Sequence, residues 1–321
     1  MIKISVGRAV AIFTVLLLSG LYALVNYNYQ RDMDQARERI SVGSKIAATA
    51  CGQIEYADAG TGSPVLLVHG AGSGYDQAQD ASRVLVQSGF RVIAMSRFGY
   101  LRTPLPADAS AAAQADAHAC LLDALHIRRA AIVGASAGAP SSMQFALRYP
   151  ERTTALVLLV PVTYVPRPDG APQMQTPPGF EFLFDTALQS DFLLWAVPQL
   201  ARQTVISAIL ATPPAVVENA SAAERARVEQ VLVNILPVGQ RRLGLLNDAA
   251  VAYSLPRYEL ERITAPTLIL SVADDLFGTH DGARYSAEHI PRARLISYAS
   301  GGHLCVGHQE EVMTEIANFL K

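Results

Sequence analysis

Charge is scarce in this chain. Of 321 residues, 17% are Asp, Glu, Lys or Arg; they nearly balance at a formal net charge of −2, and no basic run occurs. A nucleic-acid partner calls for a concentrated positive face, so this composition argues against one. Cysteine is rarer still. Cys51, Cys120 and Cys305 lie far apart, so no disulfide framework can be read from them. One bridge and one free thiol is the most they can form, and Cys120, set among Ala and Leu in a helical pattern, reads as a buried apolar thiol. No G-x-G-x-x-G follows the first apolar strand, which removes the usual dinucleotide cradle. His303-x-Cys305-x-x-His308 lacks a fourth ligand and a second loop, so neither metal nor cofactor is expected.

Apolar residues are plentiful, at half of the chain. The length allows one large domain carrying an inserted second one. Arg outnumbers Lys and Ala is abundant, the composition of a GC-rich bacterial genome. Residues 9–25 carry no charge, with Lys3 and Arg8 before them and Asn26, Asn28, Arg31 and Asp32 after. A run of about 17 residues sits at the lower limit for a membrane span and is slightly long for a signal-peptide core. No small-x-small cleavage site follows it. The expectation is a retained single-pass anchor at 1–26 with the body outside the cytoplasm, in the periplasm; secretion after cleavage is the alternative. Residues 27–46 are polar and charged and read as a linker, for which a helix is one of the forms the sequence allows.

The rest of the chain is organised around Gly134-Ala135-Ser136-Ala137-Gly138. An apolar strand-like run, Ala130 to Val133, precedes it and a helix-compatible stretch, Ala139 to Tyr149, follows. A serine at the apex of a strand–turn–helix is the context of a nucleophile elbow, in which small flanking residues relieve a crowded turn. The hydroxyl is then exposed at the carboxyl end of a strand, with the Ala137 amide at a helix N-terminus.

Other apolar runs predict further strands at 53–58, 64–68, 91–95, 155–160, 267–271 and 293–298. Helical patterns cover 76–87, 109–125, 282–290 and 310–320. Between Pro161 and Pro266 the alternation stops. Residues 166–172 and 176–179 are rich in Pro and Gly and predict irregular chain, while 182–200, 202–210 and 222–236 predict amphipathic helices. The aromatics from Phe180 to Phe184 and from Phe192 to Trp195 either line an apolar pocket or pack this insertion onto the core, packing being the commoner use.

A serine nucleophile needs a base to take its proton and an acid to orient that base. Ala273-Asp274-Asp275 follows one buried run, and Ser300-Gly301-Gly302-His303 follows the last, so both sit at strand ends on the edge that carries Ser136. Ser, Asp, His is also the chain order of the α/β-hydrolases. From about Gln53 to Lys321 the body resembles an α/β-hydrolase-fold serine hydrolase. That resemblance implies a mostly parallel, doubly wound sheet with a helical cap, the core at 47–162 and 266–321 and the cap at 163–265. It implies Ser136 as nucleophile, His303 as base in preference to His308, and Asp275 as acid in preference to Asp274. It also implies an oxyanion hole from the Ala71 and Ala137 amides, since His69-Gly70 matches the family's oxyanion loop. His118 and His280 have no strand-end context and read as surface or packing residues. One departure is Ser96 in Ser96-Arg97-Phe98-Gly99, where the family often has a structural Asp. The activity implied is cleavage of a carboxylic ester or similar acyl bond in a small, apolar substrate. A non-catalytic binding protein, carbon–carbon bond hydrolysis and cofactor-free peroxidase-like activity are the alternatives.

Overall fold

The computed structural model describes residues 6–167, 178–180, 184 and 186–321. Most of the expected irregular chain at 166–179, and the expected start of a helix at Phe182, lie outside the described residues.

The continuous apolar runs form a single eight-stranded sheet. In chain order the strands are β1 (Lys45–Thr49), β2 (Gly52–Ala59), β3 (Ser63–Val68), β4 (Phe90–Met95), β5 (Ala130–Ala135), β6 (Thr153–Leu159), β7 (Thr267–Val272) and β8 (Ala293–Tyr298). Their spatial order is β1-β2-β4-β3-β5-β6-β7-β8, antiparallel for the pairs β1–β2 and β2–β4 and parallel from β4 onward. All six residues of β7 are buried, as expected of a parallel strand covered on both faces. Helices α2 (Tyr75–Gln87), α3 (Ala111–Ala124) and α4 (Ala139–Arg148) connect the early strands. Ser110 caps α3 by accepting from the Ala113 amide at 3.2 Å. Two apolar cores flank the sheet, one around Leu66, Leu121, Phe145 and Ile269, the other around Val65, Leu85, Leu270 and Ile316.

Between β6 and β7 lie helices α5 (Asp191–Ile209), α6 (Pro214–Glu218), α7 (Ala222–Asn234) and α8 (Arg242–Tyr253). The two helices expected at 182–200 and 202–210 run as one, kinked at Ala201, where φ is −137° and ψ 46°. Pro198 inside this helix removes a backbone donor just before the kink. After β7, α9 (Thr279–His289) leads to β8, and α10 (Gln309–Leu320) closes the chain.

Two expectations, the free Cys120 thiol and the strand count, are corrected, and the helical form of the linker is resolved. Residues 27–41 are helical and packed: one helix, α1 (Val6–Ser41), runs unbroken from the apolar stretch into the body and buries Met33, Ala36 and Ile40. It shares an apolar cluster with residues of α5 and α7. Among the described residues, α1 alone is long and apolar enough to cross a membrane. Cys120 is not a free buried thiol, because it is half-buried and bonded to Cys51, with a Cα–Cα distance of 6.0 Å. Cys305 remains the buried free thiol, its pKa pushed up to about 12 by burial. Strand β1 extends the sheet by one more edge than the sequence predicts.

Candidate active site

Ser136 stands immediately after β5 with φ at +49°, a conformation that costs a non-glycine residue about 1–3 kcal/mol. Its neighbours explain how the turn closes. A Cβ at Gly134 would lie 2.3 Å from Ser142 Oγ, and one at Gly138 would lie 2.5 Å from the Val68 carbonyl. Both elbow glycines are therefore required by close approach, the second because the turn presses onto the end of β3.

Asp275 and His303 converge on this serine from the ends of β7 and β8. Ser136 Oγ is 2.8 Å from His303 Nε2, and His303 Nδ1 is 2.8 Å from Asp275 Oδ2. The carboxylate can only accept, so Nδ1 carries the hydrogen and Nε2 is left to accept from the serine hydroxyl. Asp275 is buried; its Oδ1 accepts from the Phe277 amide at 2.9 Å, and its Oδ2 also accepts from the Thr279 hydroxyl. Asp274 instead ties the loop that bears His303. It accepts from the Gly302 amide at 2.7 Å and from the Ser300 hydroxyl at 2.8 Å. His308 stacks on Tyr298, with ring centroids 4.2 Å apart.

The loop after β3 brings Ala71 beside the elbow, and Ala71, Ser136, Ala137 and His303 line one cavity. Among the described residues neither the Ala71 nor the Ala137 amide donates a hydrogen bond. That loop is anchored from below. His69 is buried; its Nδ1–H donates to the Gly70 carbonyl at 2.7 Å and its Nε2 accepts from the Arg97 amide at 3.0 Å. Burial, then the nearby Arg97 guanidinium, holds its pKa well below the ordinary histidine value, so it stays neutral. Arg97 Nε donates to the His69 carbonyl at 2.7 Å, and its two terminal nitrogens each reach a carboxylate oxygen of Asp248 on α8 at 2.6 Å. Burial alone would lower the Arg97 pKa, but the Asp248 charge outweighs it and the net shift is upward. The carboxylate missing at position 96 is supplied from β2: buried Glu55 accepts from Ser96 Oγ at 3.0 Å and from Arg102 Nε at 2.7 Å.

Several supporting residues carried no sequence signal. Ala211, at φ +44° just past α5, offers one carbonyl to two loops: it accepts from His303 N at 3.2 Å and from Leu276 N at 3.0 Å. Gly302 packs against the next residue so closely that a Cβ would lie 2.7 Å from Thr212 Cα. His118 is a packing residue, as expected, though it supports the elbow: its Nε2–H donates to Ser141 Oγ at 3.1 Å, which donates to the Gly138 carbonyl at 3.2 Å. Only Thr279 had a readable cue, a hydroxyl four residues after Asp275 at a helix start.

The cavity measures about 340 Å³ and is mainly apolar, walled by Phe180, Phe184, Leu188, Leu210, Val231 and Phe277. Phe277 also meets the His303 ring edge-on at 5.0 Å. The aromatics at 180 and 184 thus line the pocket, whereas Phe192 and Trp195 pack on Tyr29 of α1. Among the described lining residues, Arg227 is the only arginine or lysine. Glu224 holds it at 2.9 and 3.0 Å, and it donates to the Leu304 carbonyl at 2.9 Å.

Comparison with known proteins agrees with this architecture. An uncharacterized hydrolase, YcgS, of Bacillus subtilis is 27% identical over 265 residues, covering 79% of this chain and 89% of its own. A 2-hydroxy-6-oxononadienedioate/2-hydroxy-6-oxononatrienedioate hydrolase of Paraburkholderia xenovorans is 29% identical over 281 residues, covering 84% and 90%. Among solved structures, an alpha/beta hydrolase fold protein from Nakamurella multipartita superposes with a TM-score of 0.67 at 28% identity, covering 86% of this chain and 98% of that one. The family model for the alpha/beta hydrolase fold matches residues 63–306. With the elbow, the parallel sheet and the strand-end residues all in place, the chain belongs to the alpha/beta hydrolase fold family.

Proposed function

We propose that this protein is a membrane-anchored serine hydrolase that cleaves a carboxylic ester or similar acyl bond of an apolar substrate, its body lying outside the cytoplasm. The observation that carries the reading is the unbroken relay from Ser136 Oγ through His303 to buried Asp275, beside two amides that, among the described residues, donate to nothing. In this reading Ser136 Oγ attacks the carbonyl carbon while His303 Nε2 takes its proton. Asp275 holds the ring orientation and balances the imidazolium. The Ala71 and Ala137 amides donate to the oxyanion, an interaction worth about 3–4 kcal/mol per donor in comparable sites. The leaving alcohol takes the proton from Nε2, and a water activated by the same nitrogen then hydrolyses the acyl-enzyme. The α5–α8 segment serves as a cap that adds Val231, Leu245 and Ala252 to an acyl pocket otherwise walled largely by the sheet's loops and helices.

A second reading, carbon–carbon bond hydrolysis, is favoured by the likeness to the Paraburkholderia dienedioate hydrolase. The same relay would serve it. A dicarboxylate, however, needs cationic partners in a low-dielectric pocket, and Arg227 is already engaged by Glu224. The apolar wall therefore favours the ester reading. The test compares short- and medium-chain aryl esters with a 2-hydroxy-6-oxo-dienedioate on the purified full chain in detergent. Ester turnover that vanishes in Ser136→Ala supports the proposal. Turnover of the dienedioate alone would replace it with the second reading.

A further inference from the structure

The apolar part of α1 does not hang from a flexible tether. The same helix continues into the body and is fastened there at two levels. Near the apolar run, Asp32 accepts from Trp195 Nε1 at 2.9 Å, and the Tyr29 ring meets Phe192 at 5.3 Å and Trp195 at 5.5 Å. Further along, Arg39 donates to the Leu236 carbonyl at 2.5 Å and pairs with buried Asp76 at 3.5 Å. An unbroken helix held at both levels fixes the angle at which the body meets whatever surrounds the apolar run.

That geometry sets a depth. At 1.5 Å per residue, the uncharged run 9–25 spans about 25 Å, short of the ~30 Å hydrocarbon core, and a short span draws its flanks toward the bilayer. From Val25 to Tyr29 the helix advances about 6 Å, the thickness of one headgroup layer. The residues that touch Tyr29 therefore lie at that level. There α5 begins, with Phe192 and Leu193 about 40% exposed, beside the amphipathic ring of Trp195. Tyr27 of α1 is exposed in the same zone. Aromatic rings with one polar atom are what settles at a membrane–water interface.

We propose that the start of α5, Phe192, Leu193 and Trp195, is a membrane-docking surface that rests in the headgroup layer of the bilayer holding α1. The proposal rests on the reading of α1 as a membrane-embedded helix. Its consequence concerns the substrate: Leu188, four residues before Phe192 on the same segment, lines the catalytic cavity. One wall of the acyl pocket is thus held next to lipid, which suits an uncharged acyl compound that partitions into the bilayer.

Trp195 is the sole tryptophan of the chain, so its fluorescence reports this surface without labelling. The full chain would be reconstituted in phosphatidylcholine–phosphatidylglycerol vesicles containing lipid brominated either near the headgroup or near the acyl terminus. Floated vesicles should carry the protein, and Trp195 emission should be quenched more by the shallow label than by the deep one. Leu193→Asp should weaken that quenching while the protein still floats and still turns over a water-soluble ester. Flotation without quenching would overturn the docking surface and leave the anchor standing, and emission that varies only with protein concentration would replace lipid by a second copy. Failure to float would overturn the anchor and the proposal together.

Discussion

Asp275→Asn is the substitution that separates a catalytic acid from a loop tie most sharply. Asp275 Oδ2 accepts from His303 Nδ1–H, while Oδ1 accepts from the Phe277 amide. An asparagine there has one acceptor and one donor group. If its NH₂ faces His303, the ring must turn to the other tautomer, placing a hydrogen on Nε2 against Ser136 Oγ, and the base can no longer accept. If its NH₂ faces Phe277 instead, two donors collide at a contact of 2.9 Å. The equivalent change in the serine-protease triad costs about 10⁴ in kcat, or about 5.5 kcal/mol. A fall of about 10³–10⁴ in kcat/KM is therefore expected here, about 4–5.5 kcal/mol of transition-state stabilisation. Asp274→Asn keeps a carbonyl for the Gly302 amide and loses one partly exposed bond, about 1–1.5 kcal/mol, or roughly tenfold at most. The assay is aryl-ester turnover by both variants, with circular dichroism to confirm folding. An Asp275→Asn enzyme within tenfold of wild type, or an Asp274→Asn enzyme slower than it, would refute the assignment.

Two further outcomes concern stability. His118 is buried with a pKa lowered to about 3, and His69 is depressed in the same direction, against about 6.5 in the unfolded chain. The unfolded state binds more protons than the folded one below about pH 6.5, so the contribution of these buried neutral rings is complete above that pH and falls as pH drops below it. Between about pH 6.5 and 3, His118 contributes about 1.4 kcal/mol per pH unit, and His69 acts in the same direction. Urea denaturation at pH 7 and pH 5 should show a loss to which His118 alone contributes about 2 kcal/mol, and His118→Gln should remove that part of it; an unchanged slope would contradict the burial argument. Asp248→Asn strands the Arg97 charge and loosens the loop bearing Ala71. It should cost about 3–5 kcal/mol, lowering Tm by roughly 10 °C, and should reduce kcat more than it raises KM. Scanning calorimetry and ester kinetics check both parts.

What could be read in advance was whatever is local in the chain. Ser136, Asp275 and His303 each announce themselves by standing just past an apolar run, because a buried parallel strand must end where the ligand edge begins. The sheet followed from the same runs. What escaped is held by contacts between distant residues. Arg97 meets Asp248 across 151 positions, Cys51 meets Cys120 across 69, and the Ala211 carbonyl reaches two loops by a backbone atom that no residue type advertises. Polar composition made residues 27–41 look like a linker. Their charges nevertheless sit on a helix whose Met33, Ala36 and Ile40 face the body, a pattern diluted by the apolar run before it. Glu55 substitutes for an acid at position 96 from a strand 41 residues away, which motif matching along the chain does not register.

The central claim is that Ser136 is an activated nucleophile. Incubation of the full chain with a fluorophosphonate, followed by intact-mass and peptide mapping, tests it without knowledge of the substrate. The account predicts a single adduct on Ser136, abolished in Ser136→Ala and strongly slowed in folded Asp275→Asn. No adduct on folded wild-type protein, or an adduct on another residue, would contradict it.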